Sequence, residues 1–309
     1  MLRTILLLFT NLSVMSVLGV FLHLFGIKYN NLIILIIFSC ICGFIGAFVS
    51  LFFAQSIALK SVNGKIIKKP TDEKEIWLMD IIKKQSNKLN INTPKFTVYE
   101  SDDINAFATG AHKNSALIAV SKGLLKKMDN NSIEAVLAHE ISHIYNGDMV
   151  TMILLQGVIN TFTIFISKFL TKMIVSFLTN LSKKQYLSSS ILDKHTLKNN
   201  FDSKQYSLLF NIISLVLEAI FGLLSNLIIC WFSRYREFYA DAGSAKLVGR
   251  SNMISALKFL QGSDKPKVIN KSMKTLFINN FDKHNFSKLL SSHPSCDERI
   301  EALILKRYE

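Results

Sequence analysis

Two apolar stretches open the chain, residues 4–27 (TILLLFTNLSVMSVLGVFLHLFGI) and 32–59 (LIILIIFSCICGFIGAFVSLFFAQSIAL), and neither contains an Asp, Glu, Lys or Arg. Each exceeds the roughly 20 residues that a helix needs to cross the hydrocarbon of a bilayer, so the pattern predicts a transmembrane hairpin. Only Arg3 precedes the first stretch, and no small-x-small cleavage pattern follows it, which favours a retained span over a cleaved signal peptide. From 60 to 148 polar and apolar positions mix. There the sequence predicts a helix near 72–89, a strand at 96–99 (FTVY), a strand at 116–120 (ALIAV) and an amphipathic helix over about 131–147, with Asn131 or Ser132 as its N-cap. A third apolar run starts at Met149 and is uncharged to Ser167, and a fourth covers about 205–233 with Glu218 as its one charged residue. The remainder, 234–309, is polar and mainly helical, weakest around 262–272 (GSDKPKVINKS). The expectation is a mainly α (α+β) integral membrane protein with a small antiparallel sheet and four transmembrane helices. Its parts are an N-terminal membrane hairpin (1–59), the first half of a polar domain (60–148), a second membrane hairpin with a basic loop (149–233) and the second half of the polar domain (234–309).

Composition sharpens this picture. Thirty-six Lys and Arg against 22 Asp and Glu leave a formal charge of +14, while half of the 309 residues are apolar. That balance excludes a disordered, collagen-like or coiled-coil chain. The lysines sit beside apolar segments without interleaved aromatic platforms, so they read as membrane-flanking charge and no nucleic-acid partner is expected. Lys60, Lys65, Lys68, Lys69, Lys74, Lys83, Lys84 and Lys88 follow the second span, whereas the turn before it carries only Lys28. By the positive-inside rule, the N-terminus and the segment after residue 60 are cytosolic. The second hairpin is expected to cross as well, although Lys168, Lys172, Lys183, Lys184, Lys194, Lys198 and Lys204 load its connecting region against that. Cys40, Cys42, Cys230 and Cys296 are scattered, so no disulfide framework is indicated and a reducing compartment fits the polar part.

The sharpest local chemistry is His139-Glu140-Ile141-Ser142-His143, an H-E-x-x-H run within the predicted 131–147 helix. Positions i and i+4 share a helix face, so His139 and His143 can present two imidazoles to one Zn²⁺ while Glu140 flanks it as a general base. A catalytic zinc usually takes three protein ligands, so one more is needed. Arg234-Tyr235-Arg236-Glu237-Phe238-Tyr239-Ala240-Asp241 offers Glu237 as that ligand. Asp241, one turn on, would accept a hydrogen bond from a histidine or hold an arginine. Taken alone, the Arg234–Glu237 spacing more often describes a solvated i,i+3 ion pair. His143 precedes the third apolar run and Glu237 follows the fourth, so an even number of crossings returns both to one side of the membrane.

With these residues in place, the sequence resembles the HtpX-type membrane zinc metalloproteases, relatives of the CAAX prenyl endopeptidases among the gluzincins. The resemblance rests on blocks in the family's order. These are the two N-terminal spans; Asn105-Ala106-Phe107-Ala108-Thr109-Gly110; Ile118-Ala119-Val120-Ser121 with Gly123-Leu124-Leu125; and Ala138 through His143 continuing to Asn146-Gly147-Asp148. Ser233 through Asp241 and Ser292-His293-Pro294 with Glu298-Arg299-Ile300 complete them. It covers most of the chain outside 168–206. It implies a helical zincin-type domain, one zinc per subunit, and a multi-pass protein of the inner (plasma) membrane with its catalytic domain facing the cytoplasm. It also implies an endopeptidase acting in stress response on damaged, unfolded or misassembled membrane proteins. The basic, poorly patterned loop at 181–206 departs from the family's pattern.

Zinc held by His139, His143 and Glu237 is then expected to acidify water and polarise the scissile carbonyl, with Glu140 moving the proton. His293 is the candidate second donor to the oxyanion, or alternatively a fourth metal ligand, and Asp241 with Arg299 a buried pair behind the ligands. Substrate is expected along the 116–120 strand as an exposed edge, with Asn105 to Gly110 as the loop leading to it. His23 reads as a helix-packing residue, Cys40 and Cys42 as buried thiols, and Glu218 as the partner of Lys168 or Lys172. Two rival readings stand beside the protease: a prenyl-protein endopeptidase, for which four spans are few, and a catalytically silent zinc-containing membrane scaffold. Inverted repeats, the mark of many transporters, are absent from the sequence.

Overall fold

Residues 32–189, 203–262 and 291–308 are described by a computed structural model, and they are mostly helical. The elements in order are α1 (Leu32–Ser61), α2 (Glu73–Lys88), β1 (Lys95–Tyr99), β2 (Ala106–Thr109), β3 (Leu117–Ser121), α3 (Lys122–Lys127), α4 (Asn130–Asn146), α5 (Asp148–Ser189), α6 (Ser203–Val248), α7 (Arg250–Gly262) and α8 (Cys296–Ile304). Three of these helices are long and apolar enough to cross a membrane, over Ile33–Ser61, Asp148–Leu181 and Ser207–Val248. The span expected at 4–27 lies outside the described residues. The chain is an integral membrane protein. Side chains such as Phe52, Phe162 and Phe177 stand exposed along these helices, an arrangement that only lipid makes favourable.

The chain divides into two units, one of residues 1–46 and 156–226 and the other of 47–155 and 227–309. In the first, α5 and α6 are joined by polar contacts at membrane depth. Thr163 and Ser225 share a hydroxyl bond of 2.6 Å, and Lys168 Nζ lies 3.2 Å from Glu218 Oε1, which also accepts from Ser214 Oγ at 2.9 Å. A buried carboxylate in such a place is costly unless paired, so the lysine and the glutamate hold each other there.

The second unit has its core between the sheet and helices α2, α4, α7 and α8, with Ile82, Ile118, Val120, Leu124, Leu137, Ile141 and Leu257 fully enclosed. The sheet has the order β1-β3-β2, with β1 parallel and β2 antiparallel to β3. It is therefore mixed rather than antiparallel as the sequence led us to expect. The reason is β2: the segment read as a loop, Asn105 to Gly110, extends as a strand on the far side of β3 and uses up one reversal of the chain. β3 is central and buried at all five positions, which explains its continuous apolar run and also removes it as an exposed edge. The edge beside the H-E-x-x-H helix is β2.

The cap of helix α4 lies two or three residues earlier than the residue pattern suggested. Asp129, not Asn131 or Ser132, is the N-cap, and its carboxylate accepts from the backbone N–H of Asn131 and Ser132 at 3.1 and 3.2 Å. An aspartate accepts two such bonds more strongly than an uncharged side chain accepts one. At the other end Gly147 adopts the left-handed conformation (φ 71°), which lets α5 start at the next residue in a new direction. Helix α8 opens with a capping box, Ser295 and Glu298 each bonding the other's backbone N–H. All four cysteines are free.

Candidate metal centre

Three pieces of chain, far apart in sequence, supply the polar side chains buried beside α4. Helix α4 contributes His139, Glu140 and His143; the polar end of α6 contributes Glu237 and Asp241; the segment 291–295 and α8 contribute His293 and Arg299. His139, Glu140, Glu237, Asp241 and Arg299 are all at most 5% exposed. So many buried ionisable groups are tolerable only if each has a charged or hydrogen-bonding partner.

The partners are specific. His139 Nδ1 lies 2.9 Å from Asp241 Oδ1, and His143 Nδ1 lies 2.5 Å from Asp148 Oδ2. With Nδ1 of both rings engaged by carboxylates, both Nε2 atoms turn inward, 3.2 Å apart. Glu237 faces them, its Oε2 3.6 Å from His139 Nε2 and its Oε1 3.4 Å from His143 Nε2. Ligand atoms at the zinc-to-nitrogen distance of about 2.0–2.1 Å stand about 3.3 Å apart along the edges of a tetrahedron. The 3.2 Å between the two imidazole nitrogens fits such an edge, each imidazole has one Glu237 oxygen within 3.6 Å, and these three residues form the cluster among the described residues that could hold a metal ion. The donor set of two imidazoles and one carboxylate suits a divalent metal.

Behind these three residues, Arg299 grips Asp241 at two points, Nε to Oδ2 at 2.8 Å and Nη2 to Oδ1 at 2.6 Å, and its Nη1 lies 3.5 Å from Glu237 Oε2. Asp241 thus does both things the sequence left open, since it meets a histidine and an arginine together. His293 Nδ1 lies 2.9 Å from Glu237 Oε2. Its segment is tied to α6 by Arg234, whose Nη1 donates to the Ser291 carbonyl at 2.9 Å, and is closed on itself by Ser291 Oγ, which donates to the His293 carbonyl at 2.8 Å. The structure therefore brings together every residue that the sequence nominated for the site.

It also adds residues. Asp148 appeared in the sequence only as part of a resembling block with no role, yet it is the carboxylate that orients His143, and Arg236 Nη1 approaches it at 3.7 Å. The signal was Gly147: a glycine closing α4 predicts a sharp corner, and the residue just past the corner folds back beside the last turn. Ala108 is the other addition. Its backbone lies near enough to the Glu140 carboxyl to offset part of the effect of burial, which places β2 beside that side chain.

Electrostatics follow the burial. Glu140 is pushed above the ordinary carboxylate range, first by burial, with the neighbouring imidazoles pulling the other way. Burial drives His139 and His143 towards the neutral form, but bonds to Asp241 and Glu237 hold His139 above its ordinary value. Bonds to Asp148 and Glu237 raise His143 to about 10. Burial opposes the charge on Arg299, yet Asp241 raises its pKa further. The ring of carboxylates makes this pocket a place where positive charge is favoured, whether as a proton on nitrogen or as a dication shared by the three ligand atoms.

Comparison with known proteins agrees with this chemistry. The sequence matches the peptidase family M48 over residues 72–305. It is 47% identical over 308 residues to the Protease HtpX of Wigglesworthia glossinidia brevipalpis, covering 100% of this chain and 99% of that protein. To the Protease HtpX of Buchnera aphidicola subsp. Schizaphis graminum (strain Sg) it is 48% identical over 308 residues, covering all of both chains. The crystal structure of S. mikatae Ste24p shares the fold with a TM-score of 0.54 at 20% identity, over 96% of this chain and 62% of that one. This chain thus spans less than two thirds of the length of Ste24p.

Proposed function

The chain belongs to peptidase family M48, and from that premise we infer that His139, His143 and Glu237 hold a catalytic zinc ion and that Glu140 is the general base beside it. The protein is a membrane-bound metalloendopeptidase. The observation that carries the residue assignment is the convergence of the two inward Nε2 atoms, 3.2 Å apart, on the Glu237 carboxylate, as binding of one ion by all three side chains requires.

When bound, zinc supplies Lewis acidity that makes water nucleophilic near neutral pH and polarises a peptide carbonyl. The chain's own residues do the rest. Asp241 and Asp148 fix the two imidazoles in the tautomer that leaves Nε2 free. Glu140 takes the proton of the attacking water and returns it to the leaving amine, and its burial makes it a better proton carrier than an ordinary carboxylate. Arg299 holds Asp241 in place behind His139. His293, beside Glu237, donates to the oxygen that becomes negative as the carbonyl is attacked. An extended substrate pairs with the outward backbone of β2, the edge that the position of Ala108 against Glu140 favours. Recognition through main-chain groups suits unfolded or damaged membrane proteins, and a quality-control role fits it.

The lysines that follow the second span support an inner-membrane protein with its catalytic side in the cytoplasm. In that arrangement the hairpins 1–59 and 149–233 carry one peptidase domain split into 60–148 and 234–309. The test is detergent-solubilised wild type against Glu140→Gln on casein, both metal-quantified, with and without chelator. Cleavage by wild type that chelation abolishes, together with full zinc content but no cleavage in Glu140→Gln, is the expected result. Equal cleavage by the two proteins would remove Glu140 from the mechanism, and absence of stoichiometric zinc from wild type would remove the metal assignment.

A further inference from the structure

The site uses the inward side of α6, and the outward side carries a different arrangement. Ile228, Trp231, Tyr235 and Tyr239 follow one another at spacings of three and four residues and so lie on one face of the helix. They are 51, 60, 38 and 40% exposed. The Trp231 and Tyr235 rings stack at 6.0 Å, and Tyr235 meets Tyr239 edge to face at 4.9 Å with a hydroxyl bond of 2.7 Å between them. Tyr308, at the end of the chain, closes over this row, 5.7 Å from Tyr235 and 5.2 Å from Tyr239. A Schellman turn after α8 directs it there: Arg307 N–H bonds the Ala302 carbonyl at 3.0 Å, Lys306 N–H bonds the Leu303 carbonyl at 3.3 Å, and Lys306 takes the left-handed position (φ 53°). The same turn leaves Lys306 and Arg307 exposed. Arg307 has Glu301 at 3.8 Å, a contact in water that constrains it little.

We propose that the aromatic row of α6, with Tyr308, Lys306 and Arg307, is a seat for anionic phospholipid that anchors the C-terminal end of the chain to the membrane surface. Continuity argues for lipid as the occupant, because the row extends a helix whose preceding apolar run crosses the bilayer. The residue types argue for the headgroup level, since Trp and Tyr place an apolar ring in the acyl boundary and a polar tip in the wet layer. Charge argues for an anionic headgroup, because two exposed cations flank the rings at the point where the helix becomes polar. The inference rests on α6 crossing a membrane and is independent of the metal assignment. Its consequence is positional. Glu237 lies six residues beyond Trp231, about 9 Å of helix rise, and between Tyr235 and Tyr239 of the row, so the seat holds Glu237 at the level of the headgroups.

The chain has two tryptophans, so full-length Trp77→Phe protein in nanodiscs reports on Trp231 alone. In phosphatidylglycerol–phosphatidylcholine discs, a doxyl group high on the acyl chain is expected to quench its fluorescence about twofold more than one near the chain end, and aqueous iodide to quench it weakly. Quenching by iodide and by neither lipid probe would put the face in water, and shielding from all probes with a doubled particle mass would put a second copy there; either result overturns the seat. A second measurement tests the headgroup. Lys306→Gln/Arg307→Gln alters only exposed side chains and should lower the phosphatidylglycerol retained in native mass spectra severalfold while leaving phosphatidylcholine unchanged. Unchanged retention, or displacement of the retained lipid by inorganic phosphate alone, would overturn the anionic-lipid assignment.

Discussion

Gly243 of α6 passes so close to Ser142 of α4 that a β-carbon on it would stand 2.5 Å from the Ser142 hydroxyl oxygen and 2.9 Å from its Cβ. One residue on, Ser244 Oγ donates to the Ala135 carbonyl at 2.7 Å. This crossing sets the helix bearing Glu237 and Asp241 against the helix bearing both histidines, so the metal site depends on a missing methyl group outside it.

Gly243→Ala is therefore expected to force the two helices apart, at a cost of about 1–3 kcal/mol and with weakened zinc binding. Thermal melting and chelator competition on the solubilised protein measure both. Gly262→Ala, which meets open space, is the control and should melt like wild type. Wild-type zinc affinity in Gly243→Ala would show that the close approach is not what holds the site.

Removing Arg299 would strand the buried carboxylate of Asp241. Loss of one partner from a buried pair of this kind costs about 3–5 kcal/mol, so Arg299→Ala should melt far below wild type. Arg299→Lys restores the charge without the two-point grip and should recover part of the loss. A shift in Arg299→Ala equivalent to less than 1 kcal/mol would contradict the ion pair's role.

Asp148→Asn tests the orientation of His143. The amide keeps the size of the carboxylate but not its charge, and outer partners of metal-bound histidines are worth about 10–100-fold in metal affinity. Zinc affinity by chelator competition should fall within that range while the far-ultraviolet circular dichroism spectrum is unchanged. Unaltered affinity would leave Asp148 as a structural partner only.

Tyr99 carries an alkaline signature. Burial raises its phenol to about 12, with the bond from Asn105 acting in the opposite direction. The folded protein thus keeps the phenol proton in a range where the unfolded chain loses it, so the unfolded state binds fewer protons and stability falls as pH rises from about 10 to 12. Below pH 10 the contribution is fully present. Comparing wild type with Tyr99→Phe, the stability difference measured at pH 9 should shift towards the Phe variant by pH 11.5. Parallel pH curves for the two proteins would rule this out.

Much of the protein is legible in one dimension because its signals are local. Spans longer than a bilayer, the i, i+4 histidines of α4, the i, i+4 carboxylates of α6 and the pairing of Lys168 with Glu218 each need only helical periodicity and the cost of burying charge. The sheet was less legible. β2 is four residues long, AFAT, and a strand that short carries no alternation to distinguish it from a turn, so both its existence and the resulting mixed topology were missed. The N-cap was displaced because Asp129, Asn131 and Ser132 all have the chemistry for it, and only the path of the backbone decides among them.

The sequence by itself determined that this chain lies in a membrane, that it carries two histidines and a glutamate suited to one metal, and which peptidases it resembles. These follow from composition, periodicity and motif, which the chain carries wherever it folds. Only the tertiary structure decided that β3 is enclosed and β2 is the edge strand beside α4, that Asp148 turns back to His143 around Gly147, and that Arg299 grips Asp241 across 58 residues of chain. Those relationships join segments that are distant in sequence. Their energies come from burial and close approach in space, and no pattern of neighbouring letters records which distant group will be the one in reach.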